Sequence, residues 1–192
     1  MRIVLLGAPG SGKGTQAALM VERLSIPHIS TGMLLRNAAK RGTELGLRAK
    51  ALIDRGELVP DDLMADMIEE RLSRPDVADG FILDGYPRNL SQAKSLDAIL
   101  EHLGQPAEEA IQIDVDPEQI IKRLAGRATK EHRTDDAGEV VRNRMRVYHE
   151  QTSPVIDYYE GRGLLTHVLG DGPVDVVLER ILSVLTVNQA TA

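Results

Sequence analysis

Residues 2–6 (Arg-Ile-Val-Leu-Leu) form a short apolar run that Gly7 stops at once. Four further runs read the same way: 27–30 (Pro-His-Ile-Ser), 80–83 (Gly-Phe-Ile-Leu), 110–115 (Ala-Ile-Gln-Ile-Asp-Val) and 165–169 (Leu-Thr-His-Val-Leu). Each predicts a short buried strand. Between them apolar residues recur at helical spacing. The clearest stretch is 91–103, with Ala93, Leu96, Ile99, Leu100 and Leu103; 16–24, 63–72 and 174–185 behave alike. Residues 139–159 predict a long helix interrupted near Pro154. Short strands alternating with helices imply an α/β fold, a five-stranded parallel sheet flanked by helices. Ligands of such sheets sit beyond the carboxyl ends of the strands. Two stretches look less like core. Residues 31–59 are helical without a central strand, and 127–138 are short, polar and charged. Both are candidates for mobile inserts over a site. No internal repeat or low-complexity tract interrupts the pattern.

Composition narrows the picture. A chain of 192 residues suits one domain. Aromatic residues make up only 3%, so the core is expected to be aliphatic. The net charge of −6 argues against a nucleic-acid partner, which needs a basic face. The absence of cysteine removes disulfides, thiolate catalysis and cysteine-ligated zinc together. No apolar run reaches the ~18 residues of a membrane span. Met1-Arg2 leads straight into the first strand without a signal-peptide pattern. The expectation is a cytoplasmic monomer with no membrane partner.

Two motifs carry chemistry. Gly7-Ala8-Pro9-Gly10-Ser11-Gly12-Lys13 fits G-x-x-x-x-G-K between a strand and a helix. Glycines let backbone N–H groups turn inward around phosphate oxygens, and the following helix points its positive end at them. Lys13 adds a mobile positive charge. The usual motif continues with Ser or Thr to touch Mg²⁺; here Gly14 stands there and Thr15 follows. The second motif is Phe81 through Arg88 (Phe-Ile-Leu-Asp-Gly-Tyr-Pro-Arg). It ends a strand on Asp84, a carboxylate suited to holding Mg²⁺ through water. Gly85 permits close approach to the backbone, and Pro87 stiffens the turn. Arg88 brings planar, bidentate donors that match a phosphate.

With both motifs in place, the chain resembles the adenylate kinases of the nucleoside monophosphate kinase family. The carrying residues are the loop from Gly7 to Thr15, Ser30-Thr31-Gly32, Arg36, Phe81 through Arg88, Gln92, Arg123, Arg127, the Arg133-Thr134-Asp135-Asp136 run and Arg144. They occur in the family's order over nearly the whole chain, and the Gly-Lys-Gly-Thr ending of the loop is the family's own. The resemblance implies reversible, Mg²⁺-dependent transfer of a phosphoryl group from ATP to AMP, giving two ADP. It implies a core at 1–29, 60–125 and 138–192, a monophosphate-binding insert at 30–59 and a short lid at 126–137, without the structural zinc of long-lid relatives.

By the same resemblance, Gly10, Ser11, Gly12, Lys13, Gly14 and Thr15 bind the ATP phosphates. Arg123 and Arg127 reach the ATP side, and Gly172 offers backbone contacts to its adenine. Arg88 clamps the AMP phosphate with Arg36, while Arg133 and Arg144 close over the transferring group. Gly85, Tyr86 and Pro87 complete the AMP side. Thr31, Gln92 and the segment Glu57-Leu58-Val59 carry the choice of base. Thr31 and Gln92 take the adenylate form; the related uridylate-cytidylate kinases usually have Ala and Asn there. Met33 departs, because the family commonly has Asp or Glu after Ser-Thr-Gly. Arg142 and Arg146 are expected at the surface, and His28, His132 and His149 as incidental. A UMP or CMP kinase is the first competing reading. A slow ATP-hydrolysing switch module is the second, and the set Arg36, Arg88 and Gln92 argues against it.

Overall fold

The structure is a computed structural model that describes residues 1–131, 134–136 and 138–191. Five parallel strands form one sheet: β1 (Arg2–Leu6), β2 (His28–Ser30), β3 (Phe81–Asp84), β4 (Glu109–Asp114) and β5 (Leu165–Leu169). Their order across the sheet is β2-β3-β1-β4-β5. All five lie where the apolar runs predict them, to within a residue. Pro27 lacks an N–H for the ladder and stands just outside β2, yet its carbonyl accepts from Ile82 N–H at 2.8 Å.

The central strands β1 and β3 are apolar on both sides because helices cover both faces. Val4 and Leu6 of β1, with Phe81 and Leu83 of β3, pack against Ile68 and Leu72 of α4 (Asp61–Leu72). The same layer holds Leu96 and Leu100 of α5 (Leu90–His102) and Val155 and Tyr159 of α8 (Ser153–Glu160). Ile3, Leu5, Ile82, Ile111 and Val168 face the other way. They meet Ala17 and Met20 of α1 (Lys13–Leu24) and Ile181 and Leu185 of α9 (Val174–Thr191).

The chain leaves β1 toward α1 on one face and β3 toward α5 on the other. The loops after these neighbouring strands diverge and open a crevice at the carboxyl edge of the sheet. The segment 31–59 stands beside that edge as α2 (Thr31–Lys40) and α3 (Glu44–Ile53). Thr43 caps α3 by accepting from Gly46 N–H at 3.1 Å. On the far side, α6 (Pro117–Glu131) runs straight through Gly126, so the start of the 126–137 stretch is helical. A short 3₁₀ turn at Thr134–Asp136 precedes α7 (Gly138–Val147). The expected long helix at 139–159 divides here. A π-helical turn at Tyr148–Thr152 joins α7 to α8, and Pro154, which has no N–H to donate, sits in the first turn of α8.

Candidate active site

Positive φ angles at Gly7, Gly10 and Gly12 curl the loop after β1, and α1 begins at Lys13 itself. Lys13 Nζ lies inside this loop and donates to Gly7 O (2.6 Å), Ala8 O (2.9 Å) and Ser11 Oγ (3.3 Å). Burial drives its pKa down. Asp84 pulls it back up, but Arg88, Arg144 and Arg127 push with the burial, and the ammonium ends at about 8. Arg123 braces the loop from α6, donating to Ser11 O (3.2 Å) and to Gly170 O (3.0 Å). It thereby ties the phosphate loop to the turn that holds Gly172.

Asp84 closes β3 facing Gly14, where a Cβ would lie 3.6 Å from Asp84 Oδ2. Burial pushes its carboxyl up, but His28, Lys13 and Arg88 outweigh that and hold it below the usual carboxylate range. His28 Nε2 stands 3.4 Å from Asp84 Oδ2, at ion-pair range but without hydrogen-bond alignment. The peptide bond Tyr86–Pro87 is cis. Arg88 Nε donates to Gly85 O at 2.8 Å, and Arg88 O accepts from Thr152 Oγ1 at 2.7 Å. The π-helical turn delivers that threonine to the crevice. Thr31 Oγ1 donates to Gly85 O at 2.9 Å. A Cβ on Gly85 would come within 2.7 Å of Thr31 Oγ1 and 3.2 Å of Arg88 Nη2. The space Gly85 leaves is therefore taken by these two side chains.

Three arginines converge here from separate elements: Arg36 on α2, Arg88 after β3 and Arg144 on α7. Burial lowers Arg88, Arg144 and Arg36 repel it, Asp84 and Asp135 partly compensate, and the guanidinium falls to about 10. Crowding like charges in a buried place costs free energy unless an anion joins them. Two carboxylates after α6 fix the surrounding arginines. Asp136 receives both Arg127 Nε (2.5 Å) and Nη2 (2.7 Å), and Arg144 Nη1 pairs with Asp136 (2.6 Å) and Asp135 (2.9 Å).

Two cavities meet at this cluster. The larger, about 590 Å³, runs from the phosphate loop past Asp84 to Arg127, Tyr148 and Thr152. The smaller, about 60 Å³, lies between α2 and α5, with Leu35, Ile53, Val59 and Met64 as its apolar wall. Gly32, Arg36, Gly56, Leu58, Arg88 and Arg144 line both. Gln92 sits at the back of the smaller one, only 2% exposed. Its Oε1 accepts from Arg88 N–H and its Nε2 donates to Asp61 Oδ1, each at 2.8 Å. One amide hydrogen and one lone pair remain for a ligand.

The sequence-predicted residues thus gather with a few shifts. Thr31, Arg36, Glu57, Leu58, Val59, Arg88, Gln92 and Arg144 surround the smaller cavity. Gly12, Lys13, Gly14, Thr15, Asp84, Gly85, Pro87 and Arg127 line the larger. The Tyr86 side chain turns into the core, is 1% exposed and lines neither cavity. The Glu57 carboxylate is engaged by Arg55, which lines neither cavity, accepting from its Nε and Nη2 at 2.9 Å each. Gly10, Ser11, Arg123 and Gly172 belong to neither lining, and Arg133 and His132 lie outside the described residues. His28, expected to be incidental, lines the larger cavity beside Asp84. The pairing of Gln92 with Asp61, and of Asp136 with Arg127, has no local sequence signal because the partners come from different elements. Met33 is 52% exposed in the larger cavity, and nothing in the structure explains its replacing a carboxylate.

A glycine-rich phosphate loop at the head of a parallel sheet, facing an arginine cluster and a second pocket, defines the class of P-loop phosphotransferases. Comparison with known proteins makes the assignment sharper. The family model for adenylate kinase matches residues 5–164. The adenylate kinase of Stenotrophomonas maltophilia (strain K279a) is 53% identical over 185 residues, 96% of this chain and 99% of that protein. The adenylate kinase of Xanthomonas campestris pv. campestris (strain 8004) is 55% identical over 181 residues, 94% of this chain and 97% of its own length. That of Xanthomonas oryzae pv. oryzae (strain MAFF 311018) is 55% identical over 185 residues, 96% and 99% of the two chains. The chain belongs to the adenylate kinase family. It is a nucleoside monophosphate kinase, an α/β phosphotransferase acting between ATP and AMP. Among the described residues no helix is long and apolar enough to cross a membrane.

Proposed function

We propose that the larger cavity takes ATP, the smaller takes AMP, and the γ-phosphoryl group passes between them at Arg36, Arg88 and Arg144. The observation that carries this reading is the junction itself: both cavities open onto the same three guanidiniums. In this account residues 30–59 are the monophosphate-binding insert and 126–137 the short lid. The AMP phosphate is already a nucleophile, so the protein has no proton to remove. Its work is positioning and charge stabilisation away from water. Arg88 grips the AMP phosphate against Arg36. Lys13 leaves the loop carbonyls for the ATP phosphates, and Arg127 and Arg144, already oriented by Asp136, meet the transferring group. Arg123 holds the loop that frames it.

The donor set also fits Mg²⁺ in a limited way. Asp84 is one ionised, hard oxygen ligand facing the loop, and no cluster of three His, Cys, Asp or Glu side chains gathers among the described residues. Such a site suits an ion that arrives with the nucleotide and touches the protein through water. When bound, Mg²⁺ neutralises charge on the β- and γ-phosphates.

Gln92 supports adenine as the base. Asp61 and Arg88 hold its amide in one orientation, with a donor and an acceptor side by side. A coupled assay with ATP and each monophosphate tests this. AMP is expected to exceed UMP and CMP by at least ~10²-fold in kcat/KM, the discrimination a polar site exerts against an unmatched edge. UMP turnover above that of AMP would overturn the assignment. We read the protein as a cytoplasmic monomer that binds neither nucleic acid nor membrane.

Lys13 gives the pH dependence its sign. Below about pH 8 it is protonated and the phosphates meet a cation; above that it loses its charge in the free enzyme. Bound phosphates raise its pKa again, so ATP capture takes up a proton. The kcat/KM for ATP should fall above pH 8 with a slope of about one decade per unit. In Lys13→Arg, which stays charged, that limb should vanish from the residual activity. A profile flat to pH 9.5 in the parent enzyme contradicts this role for Lys13.

A further inference from the structure

We infer that Asn143 is a positioning residue for the monophosphate pocket, holding the strap of residues 55–58 against the helix that carries Arg144. The inference rests on the assignment of the smaller cavity to AMP.

Asn143 Nδ2 donates to Arg55 O at 2.6 Å, across 88 residues of sequence. The amide cannot simply turn over. Its Oδ1 accepts from Arg146 Nη2 at 2.8 Å, and Arg146 Nη1 is paired with Glu150 at 2.8 Å. The chain of contacts Glu150–Arg146–Asn143 therefore aims the N–H side at the strap. The next residue of the strap lies directly on α7. Gly56 has φ +72°, and a Cβ there would stand 2.9 Å from Arg144 Cγ and 3.0 Å from Val140 O. Val140, Asn143 and Arg144 fall at i, i+3 and i+4, so one helix face makes the whole contact.

That face joins two parts of the site. Gly56, Glu57 and Leu58 line the smaller cavity on the strap side, and Arg144 lines both cavities from the helix. Strap and helix thus stand in register on one side of the pocket. On the other side the strap is tied back to α3, Gly56 N–H donating to Ile53 O at 2.9 Å and Glu57 N–H to Leu52 O at 3.0 Å, while the Arg55 and Glu57 side chains are exposed and pair with each other. The hydrogen bond from Asn143 to Arg55 O is the side-chain tie that joins this wall to the helix carrying Arg144. A single neutral hydrogen bond corresponds to about 2- to 10-fold in an equilibrium constant.

Full-length Asn143→Ala should raise the KM for AMP about fivefold. The KM for ATP and kcat should stay within about twofold of the parent, because neither the phosphate loop nor the arginines are altered. Asn143→Asp keeps the size but sets an acceptor against the Arg55 carbonyl. It should raise the AMP KM at least as far. Amide hydrogen exchange at 55–58 should quicken in both variants without any nucleotide, a readout that does not depend on the assigned substrate. Unchanged exchange at 55–58 together with an unchanged AMP KM in both variants overturns the inference. So does a loss spread equally over AMP, ATP and thermal stability, which marks a merely structural residue. A parent enzyme that fails to phosphorylate AMP defeats the functional reading instead, while the exchange result still judges the latch.

Discussion

Lys13→Met should lower kcat/KM for ATP by about 10³-fold while leaving the AMP pocket able to bind its ligand. The magnitude follows from the loss of a preorganised positive charge on transferring phosphates, where single donors contribute ~10²–10³ and a full cation up to ~10⁵. Methionine keeps the unbranched stem, one atom shorter, and removes the charge. Stability should change little, because two effects oppose. Gly7 O and Ala8 O lose their donor, which costs about 1–3 kcal/mol, and the protein no longer desolvates an ammonium already lowered to about 8. Steady-state kinetics with varied ATP, together with a thermal melt, measure both sides. A loss below tenfold would mean that the loop backbone alone holds the phosphates.

Arg88→Ala should have an effect of similar size on the other substrate. Its guanidinium touches both cavities and sits between Arg36 and Arg144. Removing it should raise the KM for AMP and also depress kcat, for a combined fall in kcat/KM for AMP of about 10³-fold. The KM for ATP should move by less than about threefold. Arg88→Lys should recover only part of the loss, since a point charge cannot make the bidentate contact. Arg88→Ala also relieves a buried cluster of like charges that, with burial, pushes Arg88 down to about 10. The melting temperature should therefore hold or rise, the sign expected when a site is organised for a ligand rather than for stability. A melt lowered by several degrees together with an unchanged AMP KM would make Arg88 a structural residue.

These two effects follow from features of different legibility. The phosphate loop is a contiguous run of small residues after an apolar strand, so its position and its charge are both visible along the chain. The five strands are visible for a related reason. A parallel sheet covered on both faces needs apolar side chains at successive positions, and helices between the strands need a different period. Arg88 is also legible, because Asp84, Gly85, Pro87 and Arg88 follow one another at a strand end. What surrounds it is not. Gln92 is held by Asp61 from 31 residues away, and Thr152 reaches the Arg88 carbonyl from 64. No local period encodes such contacts. The turn at Tyr148–Thr152 is hidden for a further reason, since Pro154 signals a break but does not say that the helix widens and continues. His28 looks like one polar residue in a weak strand, and only the pairing of β2 with β3 brings it beside Asp84. Met33 is the converse case, a departure plain in the sequence for which the fold offers no reason.

Two nucleotides meeting at one arginine cluster should exchange a phosphoryl group without water intervening. A single-turnover reaction with ATP labelled in its γ-phosphate and excess AMP tests it most directly. The label should pass to ADP at a rate no slower than steady-state turnover, with two ADP formed for each ATP consumed. Label released instead as inorganic phosphate, at a rate indifferent to AMP, would contradict the account.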